Sequence, residues 1–400
     1  MKMRLCMVVC MVLLTAVSAL GETIEVSSAS VRSKPGAFYP VVATLKKGTF
    51  VDVLENKGRW CKVKAPVNVT GWLSANALKP QEKAIDYGLL SVDTSGKRMA
   101  TIMVTAAVKG FFENPVGRGQ LNKQIFESPF VRYIVPEEYE KFKKETFSGR
   151  RTYESFLAST NLACAQGFQL SERMIATSAF IAGRLAEPGL VQDRRLVTYV
   201  NNLAQLIAES SEFYDLPVSV HVVNTDRIFA NATPIGVILI SKGMLDMVRS
   251  ENELACLLGH EISHITLQHG MTEASLRRSK IDADDAFAEM GDELGVGALE
   301  MEMDDLALAM FERAIRGRKE AYEMEADGQG ILYARRAGYD PSGMSSLLNR
   351  LKPKADEAAW EEDPSHWLPS TMDRRIEKLP TRASSKAYLR LGSRYHRYVN

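Results

Sequence analysis

Two histidines four residues apart, with a glutamate beside the first, form the most chemically informative pattern in the sequence. The run His260-Glu261-Ile262-Ser263-His264 is an H-E-x-x-H pattern. On an α-helix, residues four apart share one face, so both imidazoles can reach one zinc ion. Glu261 lies roughly 100° around the helix from His260, beside the metal rather than on it. The pattern predicts a zinc site with Glu261 as general base on a zinc-bound water. The alternative is a pair of hydrogen-bonded core histidines.

The residues before this pattern predict the helix that must position it. Ser250 is followed three residues later by Glu253, the spacing of a capping box. Leu254, Leu257 and Leu258 then recur at helical spacing. We therefore expect the two histidines inside a helix with an apolar face.

A catalytic zinc usually takes three protein ligands, so a third must come from elsewhere. His269 follows His264 by five residues and would lie about 140° around a continuing helix. This leaves His269 as a neighbour of the site, a residue at the helix end or a surface histidine. Leu267 and Gly270 occupy the positions where a metzincin would have glycine and histidine, which disfavours that class.

A downstream acidic run offers a better third ligand. Glu323 and Asp327 are four residues apart on a predicted helix. Glu323 can complete a two-histidine, one-glutamate site, and Asp327 can hydrogen-bond a ligating imidazole. Glu325 is rotated roughly 160° from their shared face. Spacing alone does not exclude Glu320, and a solvated acidic helix face is the alternative interpretation.

The two motifs together, H-E-I-S-H and E-M-E-A-D, resemble the HtpX-like family of zinc peptidases, which includes the CAAX-prenyl proteases and BepA-like periplasmic proteases. The resemblance implies that Glu323 is the third ligand and Asp327 the closing residue of the second motif. It implies an α+β fold, a helix-rich zincin-type peptidase domain with a small sheet. Further similar segments extend the resemblance over roughly residues 190–385, with Met244 in place of a leucine: Ser241–Leu245, Ser250–Ala255 and Ala337–Pro341.

The elements before the zinc helix are predicted to be an amphipathic helix, Arg194–Phe213, and two strands, Val218–Val223 and Val237–Ser241. Between the strands, Phe229–Pro234 partly matches the family's Asn-Ala-x-Ala-x-Pro. In such peptidases the edge strand that follows holds the substrate backbone by strand addition. The resemblance thus implies that Val237–Ile240 lines the cleft, and a strand packed only in the core is the alternative.

A C-terminal segment resembles the family's His-Pro element followed by Arg-Ile, although no proline directly follows His366. His366 is a candidate fourth ligand that plugs the zinc, or a candidate oxyanion donor, with a surface histidine as the alternative. Arg375 is matched to the family's arginine and is the other candidate for this role. A plugged zinc would imply a latent protease.

The first 21 residues predict a cleaved secretory signal. Lys2 and Arg4 precede an apolar run, Leu5–Leu20, and Ala19 and Gly21 have the spacing of a cleavage site. The run is shorter than a usual membrane span, and an uncleaved anchor is the alternative. We therefore expect a periplasmic or exported protein that does not span a membrane several times.

The cysteines suggest no disulfide framework, although export predicts an oxidising compartment. Removal of the signal leaves an odd number of them, Cys61, Cys164 and Cys256. Cys256 precedes His260 by four residues. We expect it to be a small buried apolar residue, with a zinc thiolate as the alternative.

Residues 22–80 predict a separate all-β barrel domain, because short β-prone runs alternate with Gly, Pro and Asn. The runs are Thr23–Val26, Val41–Leu45, Phe50–Glu55, Trp60–Lys64 and Gly71–Leu73. With its Gly-Trp-Leu ending, this region resembles a bacterial Src-homology-3-type barrel, whose relatives often bind cell-wall or other peptides. At least one of Trp60 and Trp72 is expected in the core. Binding to peptidoglycan is a hypothesis for this domain.

The rest of the chain divides into a partly helical connecting region, residues 81–185, the peptidase domain, residues 186–385, and a tail, residues 386–400. Helices are predicted for residues 136–144 and 173–185. Residues 281–312 contain eleven carboxylates and no Lys or Arg, interleaved with Met and Leu. This stretch is either a mobile lid over the cleft or a solvated helical hairpin.

Composition gives no reason to expect nucleic acid as a partner, since the formal net charge is only +1. The motifs predict an exported metalloendopeptidase with one zinc per chain, acting on unfolded or misfolded envelope proteins in quality control. The alternative is a non-proteolytic chaperone or wall-tethered binding protein with a structural zinc. The presence of Glu261 argues against that alternative, because a structural site needs no base.

Overall fold

The computed structural model describes residues 20–78, 134–148, 172–267, 269, 320–354, 369–380 and 392–399, apart from short gaps at 27, 212–213, 216–217 and 235. The chain forms two compact units, one containing the strands before residue 80 and one containing the elements beyond it. The first 19 residues, Cys164, residues 281–312 and His366 lie outside the described residues. Within those described, no helix combines the length and apolar character needed to cross a membrane.

The first unit is an antiparallel sheet of six strands in the order β1-β4-β5-β6-β2-β3. The strands are β1 (Leu20–Thr23), β2 (Ser28–Arg32), β3 (Val41–Lys46), β4 (Phe50–Lys57), β5 (Trp60–Ala65) and β6 (Val69–Ser74). The last four agree with the predicted runs. The first strand begins earlier than predicted, so the expected signal boundary at Gly21 falls within β1.

The core of this unit draws on several strands, and on β5 and β6 it includes Cys61, Val63 and Leu73, which share one face. Residues alternate between the faces of a strand. Trp60 and Trp72 therefore lie on the opposite face, where both are half-buried. The expectation that at least one tryptophan belongs to the core is wrong, because their register places both rings outside it.

The second unit combines helices with a three-stranded sheet. Its described helices are α1 (Pro136–Thr146), α2 (Glu172–Leu185), α3 (Arg194–Glu209), α4 (Lys242–Met247), α5 (Glu251–Thr266), α6 (Glu320–Arg336), α7 (Ser342–Leu351), α8 (Pro369–Glu377) and α9 (Gly392–Val399). Its strands are β7 (Ser219–Val223), β8 (Ala230–Ala232) and β9 (Val237–Ser241). The central helix is α5, against which α3, α6, α7, α9 and β8 pack.

The sheet order β7-β9-β8 corrects the predicted role of β9. This strand pairs in parallel with β7 and antiparallel with β8, and all five of its residues are buried. The prediction that Val237–Ile240 is an edge strand lining the cleft is therefore wrong. An uninterrupted apolar run is typical of a strand covered on both faces, and that is its position here.

The outer edge of β7 is closed by other parts of the chain. The Asn201 side chain on α3 donates to the Val220 carbonyl and accepts from the Val220 N–H, each over 2.8 Å. The Val191 N–H also donates to the Val222 carbonyl over 2.8 Å. Among the described strands of this sheet, β8 lies at the end opposite β7.

The start of α5 follows the predicted capping. The Ser250 hydroxyl accepts from the Glu253 N–H over 3.3 Å. The Glu253 carboxylate accepts from the Arg249 N–H over 2.7 Å, one residue earlier than in a standard capping box. Arg350 on α7 donates two hydrogen bonds to the same carboxylate, over 2.7 and 2.9 Å. These bonds fix where α5 begins and bind it to α7.

Glu251, the first residue of α5, connects the helix to three distant segments. Its buried carboxylate accepts from the Tyr199 hydroxyl over 2.9 Å and from the Tyr339 hydroxyl over 2.8 Å. Arg394 on α9 donates to it through Nε over 2.6 Å and also through Nη2. The C-terminal residues, for which the sequence predicted only a tail, thus contain a helix packed against the centre of this unit.

Candidate metal centre

Two glycines let α6 cross α5 at the first histidine. A Cβ on Gly259 would lie 2.4 Å from the Gly330 carbonyl oxygen, and one on Gly330 would lie 2.5 Å from the His260 nitrogen. Any larger residue would hold the two backbones apart. Glu323 and Asp327 precede Gly330 by seven and three residues, so all three share one face of α6. The close crossing therefore brings both carboxylates to the histidine face of α5.

Three side chains converge at this crossing. The Nε2 atoms of His260 and His264 are 3.0 Å apart. Glu323 places one carboxylate oxygen 3.4 Å from His260 Nε2 and the other 3.3 Å from His264 Nε2. A tetrahedral zinc with ligands at about 2.0–2.1 Å separates its ligand atoms by roughly 3.3 Å. The donor types and their separations therefore fit zinc.

Within the described part of the chain, His260, His264 and Glu323 are the group that could hold a metal ion. Their ligand atoms lie within 4.8 Å of one another. His260 and His264 are almost fully buried and Glu323 is partly buried. The structure thus brings together the two histidines and the glutamate expected as ligands.

Asp327 and Arg375 support this group from the side of His260. The His260 Nδ1 atom lies 2.8 Å from Asp327 Oδ1. Donation by Nδ1–H leaves the Nε2 lone pair directed at Glu323 and His264. Arg375 on α8 donates to both Asp327 oxygens, over 2.7 and 2.8 Å, and its Nη1 lies 3.0 Å from Glu323. The sequence matched Arg375 to a family position but did not predict these contacts.

The charges at this site favour a cation. Burial alone would raise the pKa of Glu323, but the Arg375 charge and hydrogen bonds from both histidines hold it well below its ordinary value. Burial also opposes ionisation of Asp327, yet Arg375 and His260 lower its pKa to about 2. Burial disfavours protonated His260, but hydrogen bonds to Asp327 and Glu323 outweigh it and raise the pKa to about 10. A positive charge between these groups, whether proton or metal ion, is therefore stabilised.

Glu261, the predicted base, is buried immediately after His260 on α5. Its negative charge interacts with the Arg375 guanidinium. Burial lowers the pKa of that guanidinium, but the carboxylates of Asp327, Glu323 and Glu261 together raise it above the ordinary arginine value. Glu261 is thus an acidic side chain at the edge of the cluster, on the helix that supplies both histidines.

The competing carboxylates point elsewhere. Glu320 forms an ion pair with Arg374 at the surface. Glu325 is exposed and lies 3.3 Å from His269 Nε2. His269 itself is buried but contacts His264 on the Nδ1 side, away from the three ligand atoms. The structure thus separates Glu323 from both alternatives and excludes His269 from the ligand group.

Cys256 is a buried residue outside the ligand group. Its thiol lies 3.5 Å from the Asp340 carbonyl oxygen, to which it can donate. Burial is the main cause that raises the pKa of this thiol to about 12. The expectation of a small apolar core residue agrees with this environment, whereas the zinc-thiolate alternative does not.

Comparisons with known proteins find similarity in two regions of the chain. The family model "Peptidase family M48" matches residues 192–383, and the model "Bacterial SH3 domain" matches residues 27–79. The beta-barrel assembly-enhancing protease of Yersinia pestis is 25% identical over 222 residues, 54% of this chain and 44% of the relative. Its counterpart from Escherichia coli strain K12 is 27% identical over 187 residues, 45% of this chain and 37% of the relative.

The similarity to a eukaryotic relative covers a shorter part of the chain. The mitochondrial metalloendopeptidase OMA1 of Arabidopsis thaliana is 30% identical over 150 residues, covering 36% of this chain and 28% of the relative. The chain thus spans less than half the length of each of these curated relatives.

Proposed function

We propose, from the premise that residues 192–383 belong to the M48 metallopeptidases, that this chain is an exported zinc-dependent endopeptidase. The observation that carries the proposal is the convergence of His260, His264 and Glu323, with Glu261 next to the first ligand. A structural zinc usually has four protein ligands and needs no adjacent buried acid. We therefore favour a protease over a binding protein whose zinc is structural.

In this mechanism His260, His264 and Glu323 would hold one zinc. Bound there, zinc would polarise the peptide carbonyl and lower the pKa of water to about 7. Glu261 takes the proton from the attacking water and passes it to the leaving amine. Asp327 holds His260 in the tautomer that leaves Nε2 free, and Arg375 keeps Asp327 and Glu323 ionised in a buried position.

The substrate backbone requires a different strand from the one expected. In strand addition, an extended peptide pairs with an exposed sheet edge. β8 lies at the end of this sheet opposite β7, its Ala230 and Asn231 are partly exposed, and it packs against α5, which carries both histidines. We propose β8, Ala230–Ala232, as the strand that holds the peptide.

The substrates proposed are unfolded or misfolded proteins of the cell envelope. The relatives named beta-barrel assembly-enhancing proteases suggest this setting. The apolar start of the chain, followed by a small-residue cleavage spacing, supports export.

The proposal is tested by cleavage of unfolded casein by the full chain. Cleavage should stop on removal of metal with a chelator and return on addition of zinc. Fragments from internal positions, identified by mass spectrometry, would establish endopeptidase activity. Cleavage that persists in the metal-free protein would contradict the proposal.

For the N-terminal domain we propose attachment to cell-wall peptide. The half-buried Trp60 and Trp72 on the outer face of the sheet are suited to contact such a ligand. The full chain should sediment with peptidoglycan, and Trp72→Ala should weaken this. Equal recovery of the chain in the supernatant with and without peptidoglycan would exclude the attachment.

A further inference from the structure

We propose that His269 is a positioning residue that orients the ligand His264; this inference rests on the zinc site proposed above. The Nδ1 atoms of the two rings are 2.9 Å apart, a hydrogen-bonding distance. On its other side, His269 Nε2 lies 3.3 Å from a carboxylate oxygen of Glu325. A line of polar contacts therefore runs from the ligand His264 through His269 to Glu325.

The chemistry of imidazole fixes the direction of these hydrogen bonds. A neutral histidine that binds metal through Nε2 carries its proton on Nδ1. His264 must then donate, and His269 must accept through its own Nδ1. The proton of neutral His269 is consequently on Nε2, where it donates to Glu325. Each ring has one donor and one acceptor in use, so neither nitrogen conflicts with its neighbour.

The end of α5 explains how His269 reaches this position. A continuing helix would direct it away from His264, but α5 ends at Thr266. Beyond that end, the His269 ring stacks on Tyr322 of α6, with centroids 4.6 Å apart and planes inclined by 16°. Only 2% of His269 is exposed. The helix α6, which supplies the proposed ligand Glu323, thus also fixes His269 through Tyr322 and Glu325.

The two histidine ligands consequently have different supports. His260 donates to the charged carboxylate of Asp327, which Arg375 holds in place. His264 donates to a neutral ring, which is stacked on an aromatic side chain. Such partners fix the orientation of a ligand, and their loss typically costs roughly 10–100-fold in metal affinity.

The test compares the zinc affinity of His269 variants, measured by competition with a chromophoric chelator. The variants differ in where they place an acceptor for the His264 Nδ1–H. Asn places its amide oxygen at the same number of bonds from Cα as histidine Nδ1, whereas Gln places its amide where Nε2 would be. We expect His269→Asn to bind zinc within a few-fold of the wild type. His269→Gln and His269→Ala should bind roughly 10–100-fold more weakly. The matched control is His396→Ala, an exposed histidine on α9, which should not change affinity.

Thermal unfolding of the zinc-free variants separates orientation from folding. The inference predicts that Asn and Gln variants unfold at similar temperatures yet differ in zinc affinity. Equal affinity for all three His269 variants and the wild type would overturn it, as would equal weakening in Asn and Gln. A wild type that binds no zinc would overturn the proposed function and this inference together, whereas a zinc-binding wild type with unaffected variants would overturn the inference alone.

Discussion

At the scale of single residues, the site is a buried arrangement of opposed charges. Glu323 and Asp327 are carboxylates that burial would tend to protonate, and Arg375 keeps both ionised. A buried ion pair contributes little net stability relative to apolar residues, but removal of one partner leaves an uncompensated charge. Arg375 should therefore matter for stability as well as for the geometry of the ligands.

We predict that Arg375→Met lowers the unfolding free energy of the zinc-free protein at pH 7 by about 3–5 kcal/mol. The neighbouring Arg374→Met is a matched control, because Arg374 pairs with Glu320 at the surface, where solvent screens the pair, and its loss should cost far less. Urea unfolding followed by fluorescence measures both. Equal effects of the two substitutions would contradict the role given to Arg375.

This arrangement also predicts a dependence on pH. The pKa of Asp327 is lowered to about 2 in the folded protein, against about 3.9 in an unfolded chain. Its contribution to stability is thus complete above pH 3.9 or so and is lost as the pH falls towards 2. Without Arg375 the folded pKa rises, so acid unfolding of Arg375→Met should begin at a higher pH than in the wild type. An identical acid transition would contradict this.

Cys256 provides a second test at this scale. Its pKa of about 12, raised mainly by burial, leaves it protonated at pH 8. Because the thiolate is the reactive form, iodoacetamide should modify Cys256 in urea but not in the native protein. Peptide mass spectrometry can follow this one residue. Native labelling at the rate of the unfolded chain would place the thiol in a different environment.

At the scale of elements, the site depends on how closely α5 and α6 cross. The backbone contact between Gly259 and Gly330 leaves no room for a methyl group on either residue. Separation of the helices would move Glu323 away from the histidines, so the packing of the two helices determines the geometry of the proposed metal site.

We predict that Gly330→Ala destabilises the protein by about 1–3 kcal/mol and weakens zinc binding. Gly328→Ala, on the same helix, is the matched control, since a Cβ there meets no atom within 4 Å. That control should be neutral or stabilising by up to about 1 kcal/mol, because alanine favours helix more than glycine does. Calorimetry with and without zinc gives both quantities. Similar behaviour of the two variants would contradict the importance of the crossing.

The same scale shows what the sequence could predict. His260 and His264 could be placed on one face because helical spacing is a local property. The position of β9 within its sheet could not be predicted in this way, since strand order depends on pairing with segments distant in the chain. His269 was assigned by extending a helix that in fact ends at Thr266. Glu323 was chosen by resemblance, and spacing alone had left Glu320 open.

At the scale of the whole second unit, α5 is held by residues far apart in the sequence. Glu251 at its start bonds to Tyr199 on α3, to Tyr339 after α6 and to Arg394 on α9. Arg394 also donates to Thr146 at the end of α1 over 2.8 Å. The C-terminal helix and α1 therefore belong to the structure that positions the site.

We predict that Arg394→Met destabilises this unit by about 3–5 kcal/mol, because Glu251 would be left buried without its cation. Arg397→Met, an exposed substitution on the same helix, should change stability by less than about 0.5 kcal/mol. Thermal unfolding of full-length variants provides the comparison. If Arg394→Met left the stability unchanged, α9 would not be required to hold α5.

The most direct test of the proposed protease is zinc content measured together with casein cleavage, for the wild type and Glu261→Gln. We expect one zinc per chain in both proteins. Cleavage by Glu261→Gln should fall by roughly 10²–10⁴-fold, the usual contribution of a general acid–base group. Full activity in Glu261→Gln would refute its role as the base. Zinc in both proteins with cleavage in neither would favour a latent enzyme or a binding protein, and no zinc in the wild type would contradict the metal site itself.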